Sequence, residues 1–140
     1  GEGEIRATIN ALGLTDEVKI IGYVAEEEIA FIYNLADVFV YLSLYEGFGY
    51  SALEAMACGT PTVVSTGGSL PEVVGIASLI VDPSRPEELA EALLSVVRDP
   101  EMKRDLIAKG RINVQRFSWR ATAGKTLEVY EKVLSRWRRN

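Results

Sequence analysis

Glu46-Gly47-Phe48-Gly49-Tyr50-Ser51-Ala52-Leu53-Glu54 is preceded by the apolar run Val38-Phe39-Val40-Tyr41-Leu42 and followed by small residues closing at Gly59. The apolar run reads as a buried strand, and Tyr50–Ala57 reads as a helix of mostly small residues. The Gly-Phe-Gly turn then lies where a strand hands over to a helix. Free backbone N–H groups and the positive end of a helix dipole meet there, at the carboxyl edge of a sheet, and together they favour an anion. Gly47 and Gly49 let a phosphate or a sugar approach the main chain without an intervening side chain. Glu46 and Glu54 add hydroxyl acceptors at the two ends, so the stretch suits a nucleotide-sugar. By spacing alone, the same residues also fit a plain turn with solvated glutamates.

Outward from this stretch, strands alternate with helices. Helix Glu4–Leu12 ends at Gly13, strand Val18–Gly22 follows, and helix Glu26–Ala36 leads into strand Val38–Leu42. Beyond Gly59 come strand Thr62–Ser65, helix Leu70–Val74 and strand Leu79–Val81, then helices Pro86–Arg98, Pro100–Gln115 and Trp119–Arg138. Ser69 with Glu72 reads as a capping box, Asp99 with Pro100 as a cap and first-turn proline, and Ser118 as the cap of the last helix. Short, continuous, apolar strands separated by helices predict a parallel α/β sheet wound on both faces, a Rossmann-like architecture.

The 140 residues suffice for one core, with 48% hydrophobic and 25% charged residues. No apolar run approaches the roughly 20 residues of a membrane span, and no signal peptide is recognisable. A single cysteine, Cys58, forms no internal disulfide and reads as a small helix residue. With no histidine, the chain carries no Ser–His or Cys–His pair, and no metal site is expected. A net charge of −5 argues against nucleic acid. The basic cluster Lys132, Arg136, Arg138 and Arg139 reads as a solvated helix end, the alternative being peripheral contact with an anionic membrane surface or an acidic partner.

Ser43–Gly49, Leu53–Pro61 with Val63-Val64, and Gly67–Gly75 resemble the donor-binding half of the retaining glycosyltransferases of family 4, which have the two-domain GT-B architecture. The likeness extends through Val18–Val24, Ala36–Val40 and Leu79–Pro83. It implies a cytoplasmic hexosyltransferase, at most peripheral at the inner membrane face, using a nucleotide-sugar such as a UDP-, GDP- or ADP-sugar and no further cofactor. It also implies that Glu46, the residue nearest to a catalytic one, contacts hydroxyls of the transferred sugar, and that Glu54 accepts hydrogen bonds from the ribose. Main-chain N–H groups of Gly47, Phe48 and Gly49 would face the sugar, and those of Tyr50, Ser51 and Ala52 the proximal phosphate. Gly22, Tyr23 and Val24 would hold the base through backbone atoms, and Thr66, Gly67 and Gly68 would line the sugar pocket. Each has a structural alternative, as a strand end and a flexible turn respectively. No protein nucleophile is implied; fixed donors and positive charge would stabilise the leaving nucleoside diphosphate.

By the same resemblance residues 1–140 form a partial donor domain, without its first strand, helix and second strand, without the basic pair that grips the diphosphate, and without the acceptor domain. Such a piece is expected to be inactive alone. In the strand order 3-2-1-4-5-6 the absent strands belong between Val18–Gly22 and Val38–Leu42. Either these two strands pair directly or, as is expected, two chains associate across the gap. The terminal helix, 119–138, carries the apolar stripe Leu127, Tyr130, Leu134 and Trp137 and is expected to dock on a neighbouring domain. A stand-alone, non-catalytic nucleotide-binding or assembly module is the alternative function. A dinucleotide enzyme is disfavoured, because no Gly-x-Gly-x-x-Gly follows the first strand.

Overall fold

The computed structural model describes residues 1–137. In chain order the elements are α1 (Glu2–Ala11), α2 (Glu26–Leu35), β1 (Phe39–Tyr41), α3 (Tyr50–Ala57), β2 (Thr62–Ser65), α4 (Leu70–Val74), β3 (Leu79–Val81), α5 (Pro86–Arg98), α6 (Pro100–Val114) and α7 (Trp119–Trp137). The strands form one parallel sheet in the order β1-β2-β3, with Val40 opposite Val63 and Val64 opposite Ile80. Parallel strands need crossovers, which α3 and α4 supply. Adjacent residues of the central strand, Val63 and Val64, are both fully buried, so both faces of the sheet are covered. On one face Val64, Phe39 and Tyr41 pack with Met56 of α3 and Leu70, Val73 and Val74 of α4. On the other, Val63 and Val81 pack with Val96 of α5 and Leu106 of α6.

The two layers are joined by polar and close-packed contacts. Gly110 of α6 passes so near α3 that an added Cβ would lie 3.2 Å from the Met56 side chain. Buried Asn113 donates to the Val73 carbonyl (3.0 Å), tying α6 to α4. The Asp99 carboxylate accepts from the N–H groups of Glu101 (2.9 Å) and Met102 (3.0 Å), and Ser118 Oγ accepts from Ala121 N–H (3.1 Å), so both expected caps form.

Two sequence expectations are corrected. Val18–Gly22 is not a strand: it pairs with no strand among the described residues, Ile21 is 60% exposed, and the edge of β1 away from β2 has no described strand beside it. Its apolar pattern suits a strand, but a ladder needs a second strand within hydrogen-bonding distance. Pairing of Ile20 with Phe39 is therefore also absent. The Ser69–Glu72 capping box does not form either; Ser69 Oγ donates instead to the Glu46 carbonyl (3.0 Å), which removes it from α4. The remaining elements agree with expectation to within two residues at each end. In α7 the stripe Leu127, Tyr130, Leu134 and Trp137 is exposed, so it is not spent on the local core. Arg138 and Arg139 of the basic cluster lie outside the described residues. No described helix is long and apolar enough to cross a membrane.

Candidate functional site

The β1–α3 and β2–α4 connections lie side by side at the carboxyl edge of the sheet. Their contact is backbone on backbone. A Cβ on Gly67 would overlap Ser43 O and lie 2.9 Å from Leu44 O; one on Gly68 would overlap Glu46 O and lie 2.6 Å from Glu46 N. Gly68 also has φ +57°, a region side chains disfavour. Hydrogen bonds fasten the same seam: Ser65 Oγ donates to Ser43 O, and Ser69 N–H (3.1 Å) joins its own hydroxyl on Glu46 O. Gly67 and Gly68 thus have a structural role, as the shelf on which the Glu46 turn rests, while Thr66 N–H donates to Val81 O (3.1 Å).

On that shelf the Glu46 carboxylate is half-buried and held at both oxygens. Tyr41 Oη donates to Oε2 (2.5 Å) and Gly47 N–H to Oε1 (3.1 Å). The Tyr41 hydroxyl first, and then the N–H groups of Phe48 and Gly47, hold the Glu46 carboxyl below the usual carboxylate range, while the Tyr41 phenol is pushed up. Gly49 caps α3 at φ +99°, a backbone geometry reserved for glycine. The N–H groups of Tyr50 and Ser51 donate to no backbone carbonyl or side chain among the described residues, leaving open donors at the start of the helix. Ala52 N–H is turned back onto Gly49 O (3.2 Å). The Phe48 ring meets Phe117 edge-on with centroids 5.5 Å apart, against the core of α3 and α4.

One turn further along α3, exposed Glu54 accepts from Tyr33 Oη of α2 (3.1 Å). Burial is the main cause that raises the Tyr33 phenol, with the Ser51 hydroxyl opposing and Glu54 reinforcing the shift. Glu54 stands between a groove of about 430 Å³, walled by Phe48, Tyr50, Leu53, Phe117 and Trp119, and a cleft of about 250 Å³ against α2. Gly22, Tyr23 and Val24 precede α2 in an irregular segment instead of ending a strand; Tyr23 is 92% exposed. The structure therefore brings the Glu46 turn against Gly67 and Gly68, places Glu54 further along α3 between the groove and the cleft, and leaves Gly22–Val24 outside the sheet. Glu72 is exposed. Among the described residues no group of His, Cys, Asp and Glu could hold a metal ion.

Sequence reasoning missed Tyr33, Tyr41, Ser65 and the true partner of Ser69. For Tyr41 a signal existed, a hydroxyl-bearing aromatic ending the strand five residues before Glu46. For Tyr33 and Ser65 there was none, because their partners lie 21 and 22 positions away.

A parallel α/β sheet covered on both faces, with a glycine turn and an open helix start at its carboxyl edge, defines a Rossmann-like domain. Residues 1–113 match the profile of the glycosyl transferases group 1, and the chain belongs to that family. The MMP alpha-(1->4)-mannosyltransferase of Mycolicibacterium hassiacum is 40% identical over 138 residues, covering 96% of this chain and 34% of the relative. Sucrose-phosphate synthase from Thermosynechococcus elongatus superposes with a TM-score of 0.83 at 36% identity, covering 94% of this chain and 34% of that one. The Anabaena protein HepE, solved in complex with UDP-glucose, superposes with a TM-score of 0.83 at 26% identity, covering 93% of this chain and 36% of that one. The fold is thus the Rossmann-like GT-B architecture, and the chain spans about a third of the length of these relatives.

Proposed function

We propose that these residues form the donor half of a retaining glycosyltransferase and bind a nucleoside-diphosphate sugar across the β1–α3 turn. The observation that carries this is the pair of carboxylates at the two ends of an open helix start. The diphosphate lies over the Tyr50 and Ser51 N–H groups, where the α3 dipole favours negative charge. Glu54 accepts from the ribose hydroxyls, and Glu46 from hydroxyls of the transferred sugar. Thr66–Gly68 borders the sugar, and the main chain of Gly22–Val24, just ahead of α2, is the candidate base contact. No side chain acts as a nucleophile in this reading; fixed dipoles stabilise the departing diphosphate.

Calorimetry with UDP and with UDP-glucose tests it. Glu54→Ala should weaken both ligands by about tenfold or more, the usual worth of hydrogen bonds to a charged acceptor. Glu46→Ala should weaken UDP-glucose and spare UDP. If Glu54→Ala leaves both affinities unchanged, the ribose assignment is wrong. The open edge of β1 and the exposed apolar stripe of α7 favour a second reading, a non-catalytic assembly module; it predicts association of the chain without affinity for either ligand.

A further inference from the structure

Neither side chain that holds the two glutamates belongs to the 46–54 stretch itself. Tyr33 comes from α2 and Tyr41 from the end of β1, yet the two rings are linked through one residue. Phe39 meets Tyr33 edge-on, with centroids 5.3 Å apart and planes at 83°, and stacks on Tyr41 at 6.1 Å and 30°. Phe39 and Tyr41 are two apart on β1, so they share a face, the one packed on α3 and α4. Tyr33 is 9% exposed. The result is a row of three rings with a hydroxyl at each end, one 2.5 Å from Glu46 and the other 3.1 Å from Glu54.

We propose that the row Tyr33–Phe39–Tyr41 is the positioning device of the site, fixing Glu46 and Glu54 relative to each other so that one ligand meets both carboxylates. This rests on the nucleotide-sugar reading above. A glutamate has three side-chain torsions to immobilise before it can serve as an oriented acceptor, and a hydroxyl anchored in the core does this before the ligand arrives. The anchoring leaves capacity for the ligand. A carboxylate has about four lone-pair directions, and Glu46 meets the Tyr41 hydroxyl and the N–H groups of Gly47 and Phe48, so capacity remains for a ligand hydroxyl. Proton ownership is unambiguous too: the Tyr41 phenol is raised and the Glu46 carboxyl lowered, so Tyr41 remains the donor and Glu46 the acceptor through the neutral range. Tyr33 and Tyr41 are thus positioning residues that act through the glutamates. The row also separates the ends of the ligand, Tyr41 governing the sugar and Tyr33 the ribose.

Three variants of the 140-residue chain decide this: Tyr41→Phe, Tyr33→Phe and Phe39→Leu. Each is titrated calorimetrically with UDP and UDP-glucose, and the Glu46 carboxyl is followed by carbon-13 NMR as pH is lowered. Tyr41→Phe should raise the Glu46 titration midpoint and weaken UDP-glucose about fivefold to tenfold, leaving UDP within about twofold. Tyr33→Phe should weaken both ligands by a common factor and leave the Glu46 midpoint in place. Phe39→Leu keeps both hydroxyls but loosens the row, so it should weaken both ligands and move the Glu46 midpoint part of the way up. An unmoved Glu46 midpoint in Tyr41→Phe, or wild-type affinities in a folded Phe39→Leu, would overturn the proposal. Failure of the unmutated chain to bind either ligand, or GDP and ADP and their sugars, would instead remove the proposed function, and the NMR titration would still decide whether the row positions Glu46.

Discussion

The seam between the two sheet-edge connections can be dissected by three glycine-to-alanine substitutions that separate backbone strain from steric contact. Gly22 has φ +66° with nothing within 4 Å of an added Cβ, so Gly22→Ala carries strain alone. The left-handed region costs a side chain about 1–2 kcal/mol, and the reduced entropy of the unfolded chain returns about 0.4–1, leaving roughly 1 kcal/mol. Gly67 has no such φ, but its added Cβ would overlap the Ser43 carbonyl and lie 2.9 Å from the Leu44 carbonyl. Neither group can rotate away as a side chain would. Gly67→Ala must push the shelf off the Glu46 turn, at about 1–3 kcal/mol for overpacking, and it loosens the two Ser69 hydrogen bonds to Glu46 O at about 0.5 kcal/mol each. The total is roughly 2–4 kcal/mol. Gly68→Ala combines contact with strain, at roughly 3–5 kcal/mol. Urea unfolding resolves these values: with a slope of about 2 kcal/mol per molar, Gly67→Ala should lower the midpoint by about 1–2 M and Gly22→Ala by about 0.5 M or less. If Gly67→Ala proves as mild as Gly22→Ala, the backbone seam does not hold the Glu46 turn, and the reasoning fails.

Asp99→Ala removes the acceptor for two N–H groups at the start of α6 and should cost about 0.5–2 kcal/mol in the same unfolding assay, with Asp99→Asn largely restoring stability. Asp82 accepts from the Ser84 hydroxyl (2.7 Å) and N–H (2.9 Å), the hydroxyl first among the causes that depress its carboxyl in the folded state. A depressed folded value means that the carboxylate contributes stability above its unfolded titration range and loses it as pH falls through the folded one. Unfolding curves of Asp82→Ala and the unmutated chain should therefore differ at pH 7 and converge as the pH drops below the ordinary carboxylate range; a constant difference would show that the charge is irrelevant.

Local chemistry made most of the fold legible, and the failures share one physical cause. Helix ends were readable where the signal is complete in a few residues. Asp99-Pro100 starts α6, Ser118 starts α7, and Gly59, at φ +79°, closes α3 with the paired bonds from Gly59 to Met56 and from Thr60 to Ala55. Val18–Gly22 failed because strand character is a property of two chains in register. The residue pattern states only that a segment would tolerate pairing. The Ser69–Glu72 box failed for a related reason: the sequence shows that a hydroxyl is available at a helix start but not which carbonyl competes for it. Here the Glu46 carbonyl, brought in from 23 positions away, wins.

The same distinction separates the two halves of the candidate site. Groups that would touch a ligand are contiguous, because one strand–turn–helix connection presents backbone donors and both carboxylates, and contiguity made them readable. Groups that orient them are scattered along the chain. Tyr33, Tyr41, Ser65, Ser69 and the glycines at 67 and 68 act by reaching the 43–54 stretch across the packed core or the sheet edge. Orientation demands this arrangement. A flexible turn cannot be held by its own residues, since each would move with it; it needs anchors rooted in elements that are buried for other reasons. β1 and β2, with Val63 and Val64 fully enclosed, are such elements, and α2 becomes one by burying Tyr33 against α3. Substitutions at the anchors of the Glu46 turn, Tyr41 above all, should therefore change how well the sugar is aligned more than whether its nucleotide binds, whereas substitutions at Glu54, or at Tyr33 that holds it, should change nucleotide binding itself.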